Sequence, residues 1–449
     1  MKSINTAPIS GMQELLPEAQ TAFDQLKTKI SEVYQKHGFL HIETPVIERS
    51  EILFAKAGGD TEKQIYKVFK TGESGSKTKE ALRFDHTVPL ARYVVEHEND
   101  LAFPFKVTQI ARNFRGERPQ KGRFRELYQC DVDVIGRGNL SLGYDADVIA
   151  TLLEAFEAFE LDTPVLARIS NRKILSGLLE ELKLKKQSAE IYSIIDHSEK
   201  VTIEKTKSDL QELKLDKTII KKILDFINIS GERSEVVTKL LNMEIKNEKF
   251  HQGVDELDQT LHLLETMGLS EKISADMKIV RGLDYYTGTV FEFILPKYKN
   301  IGSVCGGGRY DNLTEYFSSK TSFPGVGGSI GLTRLFSVFE EMGMLKKIST
   351  IPVDYAIIPI SDAELETAFK VADDLRTKNK TATVVMLDKK LGDKMSYAAK
   401  IAKHGVVIGE TEVESGRYEA KNFETGETEN LSGVSTENPL ADPTDFWAD

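Results

Sequence analysis

Phe105-Lys106-Val107-Thr108-Gln109-Ile110 leads into a loop from Arg112 to Arg125 and returns as Leu127-Tyr128-Gln129-Cys130-Asp131-Val132-Asp133-Val134, and on this stretch the reading of the fold turns. Side chains alternate across a strand, so Tyr128, Cys130, Val132 and Val134 face one way and Gln129, Asp131 and Asp133 the other. An isolated strand of this kind reads as one with a buried face and a solvated face. The loop alters that reading. It holds six basic residues, five of them arginines, and the single acid Glu117. A charged hairpin tip is ordinarily a solvated turn, but here the polar strand face runs into it. Arginines suit phosphate oxygens, and carboxylates beside an amide suit a cation. Together they fit a ligand that is anionic at one end and cationic at the other.

Outward from the hairpin, residues 20–37 carry helical spacing (Phe23, Leu26, Ile30, Val33, Tyr34) up to Gly38, and 39–45 reads as a strand stopped by Pro45. Leu82 to Asp85 reads as a short strand, with Thr87 as cap of a helix that has Pro89 in its first turn. The chain reads largely helical from 147 through 270, Lys-rich over 180–250 and interrupted at Gly231. Strands are expected at 278–280 and 289–294, and a glycine-rich strand from Gly325 passes into an amphipathic helix to Glu341. After Ser349 a strand at 354–360, a helix to about Thr377, a strand at 381–387 and a helix ending at His404-Gly405 before 406–409 indicate a small, separate parallel α/β domain.

Composition bounds the partners. The 449 residues are 40% hydrophobic and 29% charged, values of a globular protein of two or three domains. No apolar run is long enough for a membrane span, and the first residues lack a signal-peptide core, so a cytoplasmic protein is expected. Cys130 and Cys305 sit in unrelated segments and read as reduced structural thiols, with no metal site. The net charge of −11 argues against a nucleic-acid partner until its distribution is seen. Residues 411–449 hold ten acids against Arg417 and Lys421, which leaves the other 410 residues at −3. Charges farther apart than about 8 Å are largely screened at physiological salt, so an acidic tail can coexist with a basic groove.

Two further segments carry chemistry. Arg281-Gly282-Leu283-Asp284-Tyr285-Tyr286-Thr287-Gly288 holds adjacent tyrosines, which cannot share one side of a strand, so one hydroxyl needs a polar partner if buried. Cys305-Gly306-Gly307-Gly308-Arg309-Tyr310-Asp311 allows close backbone approach to a ligand or a strand, and it is neither a P-loop nor a dinucleotide fingerprint.

These segments together resemble the histidyl-tRNA synthetases. FRGERPQKGRFRELYQ is similar to the family's arginine-loop motif, and RGLDYYTGTVFE and CGGGRYDNL to its two histidine-specific motifs. Residues 11–17 resemble its N-terminal signature, 37–45 its dimer-interface motif and Gly331-Leu332-Thr333-Arg334-Leu335 its third synthetase motif. The resemblance implies an α+β catalytic domain with an antiparallel sheet of the class II synthetase type, in two parts (1–170 and 256–345). It further implies a helical insertion at 171–255, a C-terminal α/β anticodon-binding domain at 351–430 and an acidic tail at 431–449.

The implied activity is ATP-dependent ligation of L-histidine to tRNA(His) through histidyl-adenylate, by a homodimer, with Mg²⁺ accompanying ATP. Carried over, Arg115 and Arg281 hold the α-phosphate and the histidine carboxylate, Arg334 the γ-phosphate, and Glu117 and Arg123 the nucleotide. The segment Asp85-His86-Thr87, with Gln129, receives the α-ammonium group; Asp133 and Tyr286 bond the imidazole and Tyr285 walls the pocket. Arg118 and Gln120 stand where bacterial relatives read the extra 5′ nucleotide of the tRNA. The chain departs from the family at Leu127, where a phenylalanine often stacks on adenine, and at Thr333, where glutamate is common. The rival readings are a non-catalytic synthetase-like regulatory subunit of histidine biosynthesis, which lacks the terminal domain and tends to lose the arginines, and a pure RNA-binding module, which leaves the amino-acid pocket unexplained.

Overall fold

The computed structural model describes residues 4–55, 60–72, 78–119, 122–157, 159, 161–280, 285–317, 321–343, 351 and 353–431. Arg281, Gln120 and the acidic tail beyond 431 lie outside them. The chain divides into two units, Met1–Glu14 with Gln25–Met342, and Leu15–Asp24 with Gly343–Asp449.

In chain order the strands of the first unit are β1 (Leu40–His41), β2 (Ile47–Arg49), β3 (Lys67–Val68), β4 (Glu80–Leu82), β5 (Phe105–Phe114), β6 (Glu126–Ile135), β7 (Leu166–Asn171), β8 (Ser230–Gly231), β9 (Ile273–Asp276), β10 (Thr289–Ile294), β11 (Cys305–Tyr310) and β12 (Gly325–Ile330). Among the described residues nine of them form one sheet, ordered β1-β5-β6-β12-β11-β10-β7-β9-β8. From β5 to β7 every pairing is antiparallel; β1 joins β5, and β9 joins β7, in parallel. The β5–β6 hairpin is its longest pairing, with Phe105 opposite Ile135 through to Phe114 opposite Glu126.

Both faces of β6 are covered. Cys130, Val132 and Val134 are fully buried, and Asp131 and Asp133 are each only 4% exposed. The apolar side packs below helix Gly143–Glu157, where Phe156 lies 5.8 Å from Phe293 of β10. The polar side, expected to be solvated for an isolated strand, instead walls a cavity.

Several boundaries differ from the sequence reading. Only Leu40–His41 of 39–45 pairs as a strand. The strand expected at 82–85 ends at Leu82, because the Arg83 carbonyl turns away to accept the Phe114 amide at 3.0 Å. Thr87 is not the cap of helix Thr87–Glu96. His86 holds that position without a side-chain bond, and Asp85 Oδ1 accepts the Val88 amide at 3.0 Å. The strand expected at 278–280 lies at Ile273–Asp276, where it pairs with both β7 and β8.

Helices Arg172–Glu181, Ser188–His197, Ile203–Glu212, Lys217–Ile227, Arg233–Leu241 and Glu248–Thr266 follow β7. Asn171, Thr202 and Asn247 cap three of them with side-chain oxygens, as residues of that type do. The first and last cross closely. A Cβ at Gly177 would stand 2.4 Å from the Phe250 amide, and one at Gly253 2.7 Å from the Ile174 amide.

In the second unit β13 (Val353–Pro359), β14 (Ala382–Val384), β15 (Ala402–Ile408), β16 (Glu419–Asn422) and β17 (Thr428–Asn430) are ordered β14-β13-β15-β16-β17. The first three are parallel and the last two antiparallel, so the sheet is mixed, not purely parallel as expected. The helix expected to reach His404 stops at Ile401. His404 belongs to β15, where its ring stacks on Tyr355 at 5.1 Å.

Candidate active site

A cavity of about 560 Å³ opens on the polar face of the large sheet. Its floor is backbone. Gly307 and Gly308 of β11 run beside Gly327 and Gly328 of β12, where an added Cβ would clash at each position. A Cβ at Gly307 would meet the Gly327 carbonyl at 2.2 Å, and one at Gly327 would meet Asp133 Oδ1 at 1.9 Å. The glycine run therefore serves both of the purposes open to it, strand packing and room over the floor.

The hairpin loop supplies one wall. Its base is closed by the Arg115 amide on the Arg125 carbonyl at 2.9 Å. Its arginines divide into two sets. Arg112 pairs with Glu126 at 3.2 Å, and Arg125 donates to the Glu117 and Ser10 carbonyls; these two brace the loop. Arg115, Arg118 and Arg123 line the cavity with Glu117 and with Arg334 of helix Leu332–Glu341. Arg115 is held on three sides: Nε donates to the Phe84 carbonyl at 3.1 Å, Nη2 to Gln129 Oε1 at 2.9 Å, and the guanidinium lies 4.7 Å over the Phe84 ring. Arg123 stands 3.8 Å from Glu117, and Arg334 donates to the Ile301 carbonyl.

Carboxylates supply the opposing chemistry. Asp85, Asp131 and Asp133 line the cavity and are each at most 7% exposed. Burial holds the Asp85 carboxyl above its ordinary range against the pull of its bond from Val88 and the charge of Arg115. Asp133 is pushed up to about 8, first by burial and then by the neighbouring Asp131 charge, although it accepts the Tyr310 hydroxyl at 2.5 Å.

Tyr285 and Tyr286 both line the cavity, their rings 4.9 Å apart. They precede β10 and lie outside any strand, so the alternation argument against a shared side does not govern them. Thr287 ties this turn to β11 through its amide on the Arg309 carbonyl at 2.7 Å and its hydroxyl on Asp311 at 2.6 Å. Arg309 is itself fixed by the buried Asp145, at 2.6 Å.

Of the residues singled out in the sequence, Asp85, Thr87, Arg115, Glu117, Arg118, Arg123, Leu127, Gln129, Asp133, Tyr285, Tyr286 and Arg334 are brought to this one cavity. His86 is not among its lining; it is fully buried behind the wall, Nδ1 3.1 Å from Asp131 Oδ2 at an ion-pair distance without hydrogen-bond alignment. Thr333 accepts the Tyr128 amide at 2.8 Å and so braces β6. Asp131, Tyr310 and Ser329 are among the lining residues that the sequence did not single out as site residues. Asp131 stood on the polar face by alternation, and Tyr310 and Ser329 belong to motifs already noticed, yet only pairing of β6 with β12 brings Ser329 opposite Asp131.

Comparison with known proteins identifies the family. A family model described as histidyl-tRNA synthetase matches residues 11–335, and one described as anticodon binding domain matches 354–438. The histidine–tRNA ligase of Clostridium tetani is 43% identical over 427 residues, covering 94% of this chain and 95% of that protein. That of Xanthomonas campestris pv. campestris (strain 8004) is 38% identical over 437 residues, 92% of this chain and 91% of its own. The crystal structure of histidyl-tRNA synthetase from Nostoc sp. PCC 7120 is similar with a TM-score of 0.86 and 36% identity, covering 96% of this chain and 97% of that one. The chain belongs to the histidyl-tRNA synthetase family.

Proposed function

We propose that this protein is a histidine–tRNA ligase: it activates L-histidine with ATP and transfers the histidyl group to tRNA(His). The histidine carboxylate attacks the α-phosphorus of ATP, pyrophosphate leaves, and a hydroxyl of the terminal tRNA adenosine then displaces AMP from the histidyl-adenylate. The observation that carries the reading is a single cavity lined by a basic set, Arg115, Arg118, Arg123 and Arg334, and by an acceptor set, Asp85, Gln129 and Asp133. Phosphates and a carboxylate suit the first set; an ammonium and an imidazole suit the second.

In this reading Arg115 bridges the α-phosphate and the histidine carboxylate, where fixed positive charge stabilises the crowded negative charge of the transition state. Its three restraints mean that little reorganisation is needed when the substrates arrive. Arg281, outside the described residues, is assigned the same task. Arg334 takes the γ-phosphate, and Glu117, Arg123 and Leu127 the rest of the nucleotide. Magnesium enters with ATP as part of the substrate. Asp85, Thr87 and Gln129 take the ammonium; Asp133 and Tyr286 take the imidazole beside Tyr285. A site with buried polar groups of this kind rejects apolar analogues, whose binding leaves those groups unpaired. Arg118 and Gln120 are assigned to the tRNA 5′ end.

The protein works in this reading as a cytoplasmic homodimer. Leu40, Val46 and Ile47, within and beside the segment resembling the dimer motif, are 63%, 37% and 47% exposed, an apolar surface that a second copy would cover. Histidine-dependent exchange of labelled pyrophosphate into ATP, and charging of tRNA(His), are the expected activities. Folded protein that binds histidine yet supports no exchange would turn the reading to a regulatory synthetase-like subunit.

A further inference from the structure

Along the cavity wall a chain of hydrogen bonds runs in one direction. Asn113 Nδ2 and Arg115 Nη2 both donate to Gln129 Oε1, at 3.0 and 2.9 Å. Gln129 Nε2 donates to Ser329 Oγ at 2.7 Å, and the Ser329 hydroxyl donates to Asp131 Oδ1. Every proton points towards Asp131, which is 4% exposed and has His86 against its other oxygen.

A hydroxyl has one proton to give. Once Ser329 gives it to Asp131, its oxygen can only accept, and only the nitrogen end of the Gln129 amide can face it. The amide oxygen is thereby turned towards Asn113 and Arg115, which fill both of its lone pairs, and an arriving ammonium group takes the place of one of these two donors. Were the serine proton free, it could be donated to that oxygen instead, which would present the amide NH₂ group to an incoming cation.

We propose that Asp131, acting through Ser329, fixes the orientation of the Gln129 amide and so makes this part of the pocket an acceptor site for the α-ammonium group of the amino-acid substrate. Asp131 and Ser329 are positioning residues: they set the polarity of the group that touches the substrate. The idea rests on Gln129 being the ammonium acceptor. It also accounts for a serine at position 329 of an otherwise glycine-rich strand, where the backbone alone would need no side chain.

The test compares two ligands by calorimetry on the full-length protein: L-histidine, and 3-(imidazol-4-yl)propionate, the same acid without its amino group. Wild-type protein is expected to prefer histidine. Ser329→Ala keeps the Asp131 charge but breaks the chain, and should weaken histidine by about fivefold to tenfold while leaving the deamino acid within about twofold, the loss of one oriented hydrogen bond. Ser329→Thr, which keeps the hydroxyl, should restore the preference, and the isosteric Asp131→Asn should lose it. The KM for ATP should stay unchanged in all three.

Ser329→Ala with undiminished histidine affinity, or with both ligands weakened equally, overturns the proposal. Loss confined to Asp131→Asn overturns it as well, since bulk charge would then explain the effect. A wild-type protein without preference for histidine over the deamino acid instead overturns the underlying assignment of the ammonium site.

Discussion

At the scale of single residues, the Asp133 carboxyl shows how position outweighs intrinsic chemistry. Buried beside Asp131, it has its pKa pushed up to about 8. A carboxyl whose folded pKa lies above its unfolded value binds more protons folded than unfolded, so its contribution to stability falls as pH rises from about 4 to about 8. Asp133→Asn, which keeps an acceptor for the Tyr310 hydroxyl, should therefore raise the melting temperature of the empty protein at pH 8. The gain should shrink towards pH 5, and a pH-independent difference would contradict the burial argument. The same variant should discriminate less well between histidine and other amino acids in pyrophosphate exchange. Gly327 belongs to the same scale. Its α-carbon faces Asp133, and a methyl there would stand 1.9 Å from the carboxylate oxygen. Gly327→Ala should cost about 1–3 kcal/mol in denaturant unfolding and raise the KM for histidine by displacing Asp133.

Among the elements, the β5–β6 hairpin matters most, and Arg83 secures it. Fully buried, Arg83 donates Nε to the Arg112 carbonyl at 2.8 Å and Nη1 to the Thr44 carbonyl at 2.5 Å, while its own carbonyl accepts the Phe114 amide. One side chain thus ties the segment after β1 and the end of β4 to the strand that leads into the arginine loop. Arg83→Met removes the donors to the Arg112 and Thr44 carbonyls and should destabilise the protein by about 2–5 kcal/mol, measured by urea denaturation. Because Arg115 follows Phe114 directly, exchange activity at temperatures where the variant is still folded should also fall. Normal activity there would show that the tether is only structural. The hairpin itself was legible from alternating polarity over 105–135. Its polar face was not placed correctly by that pattern alone, since alternation cannot distinguish a face in water from a face lining a cavity.

For the whole molecule, among the described residues the first unit carries a nine-stranded and a three-stranded sheet and the second a five-stranded one, and the exposed Leu40 and Ile47 bear on its assembly. Sedimentation is expected to give about twice the 50.3 kDa chain mass. Leu40→Asp with Ile47→Asp should shift the protein towards the monomer, with loss of charging. A monomeric wild type with full activity would remove the dimer from the account. In the second unit the succession of strands and helices was read correctly as far as β15, and failed there. The sequence around His404 continues an amphipathic helical pattern, but pairing with β13 and stacking on Tyr355 claim it for the sheet. Tertiary packing overrides local propensity where the two conflict.

The amino-acid sequence by itself determined the family, the hairpin, and which residue types meet: arginines in one loop, carboxylates and an amide on one strand face, glycines where backbones approach. Those are local facts, set by spacing and side-chain chemistry. Only the tertiary structure decided that His86 stands behind the wall and not in it, that Tyr285 and Tyr286 share one cavity, and that Tyr310 and Ser329 reach Asp133 and Asp131 across 177 and 198 residues of chain. Those outcomes depend on strand register and on burial, which raises the cost of each unpaired charge, and neither can be read from neighbours in sequence.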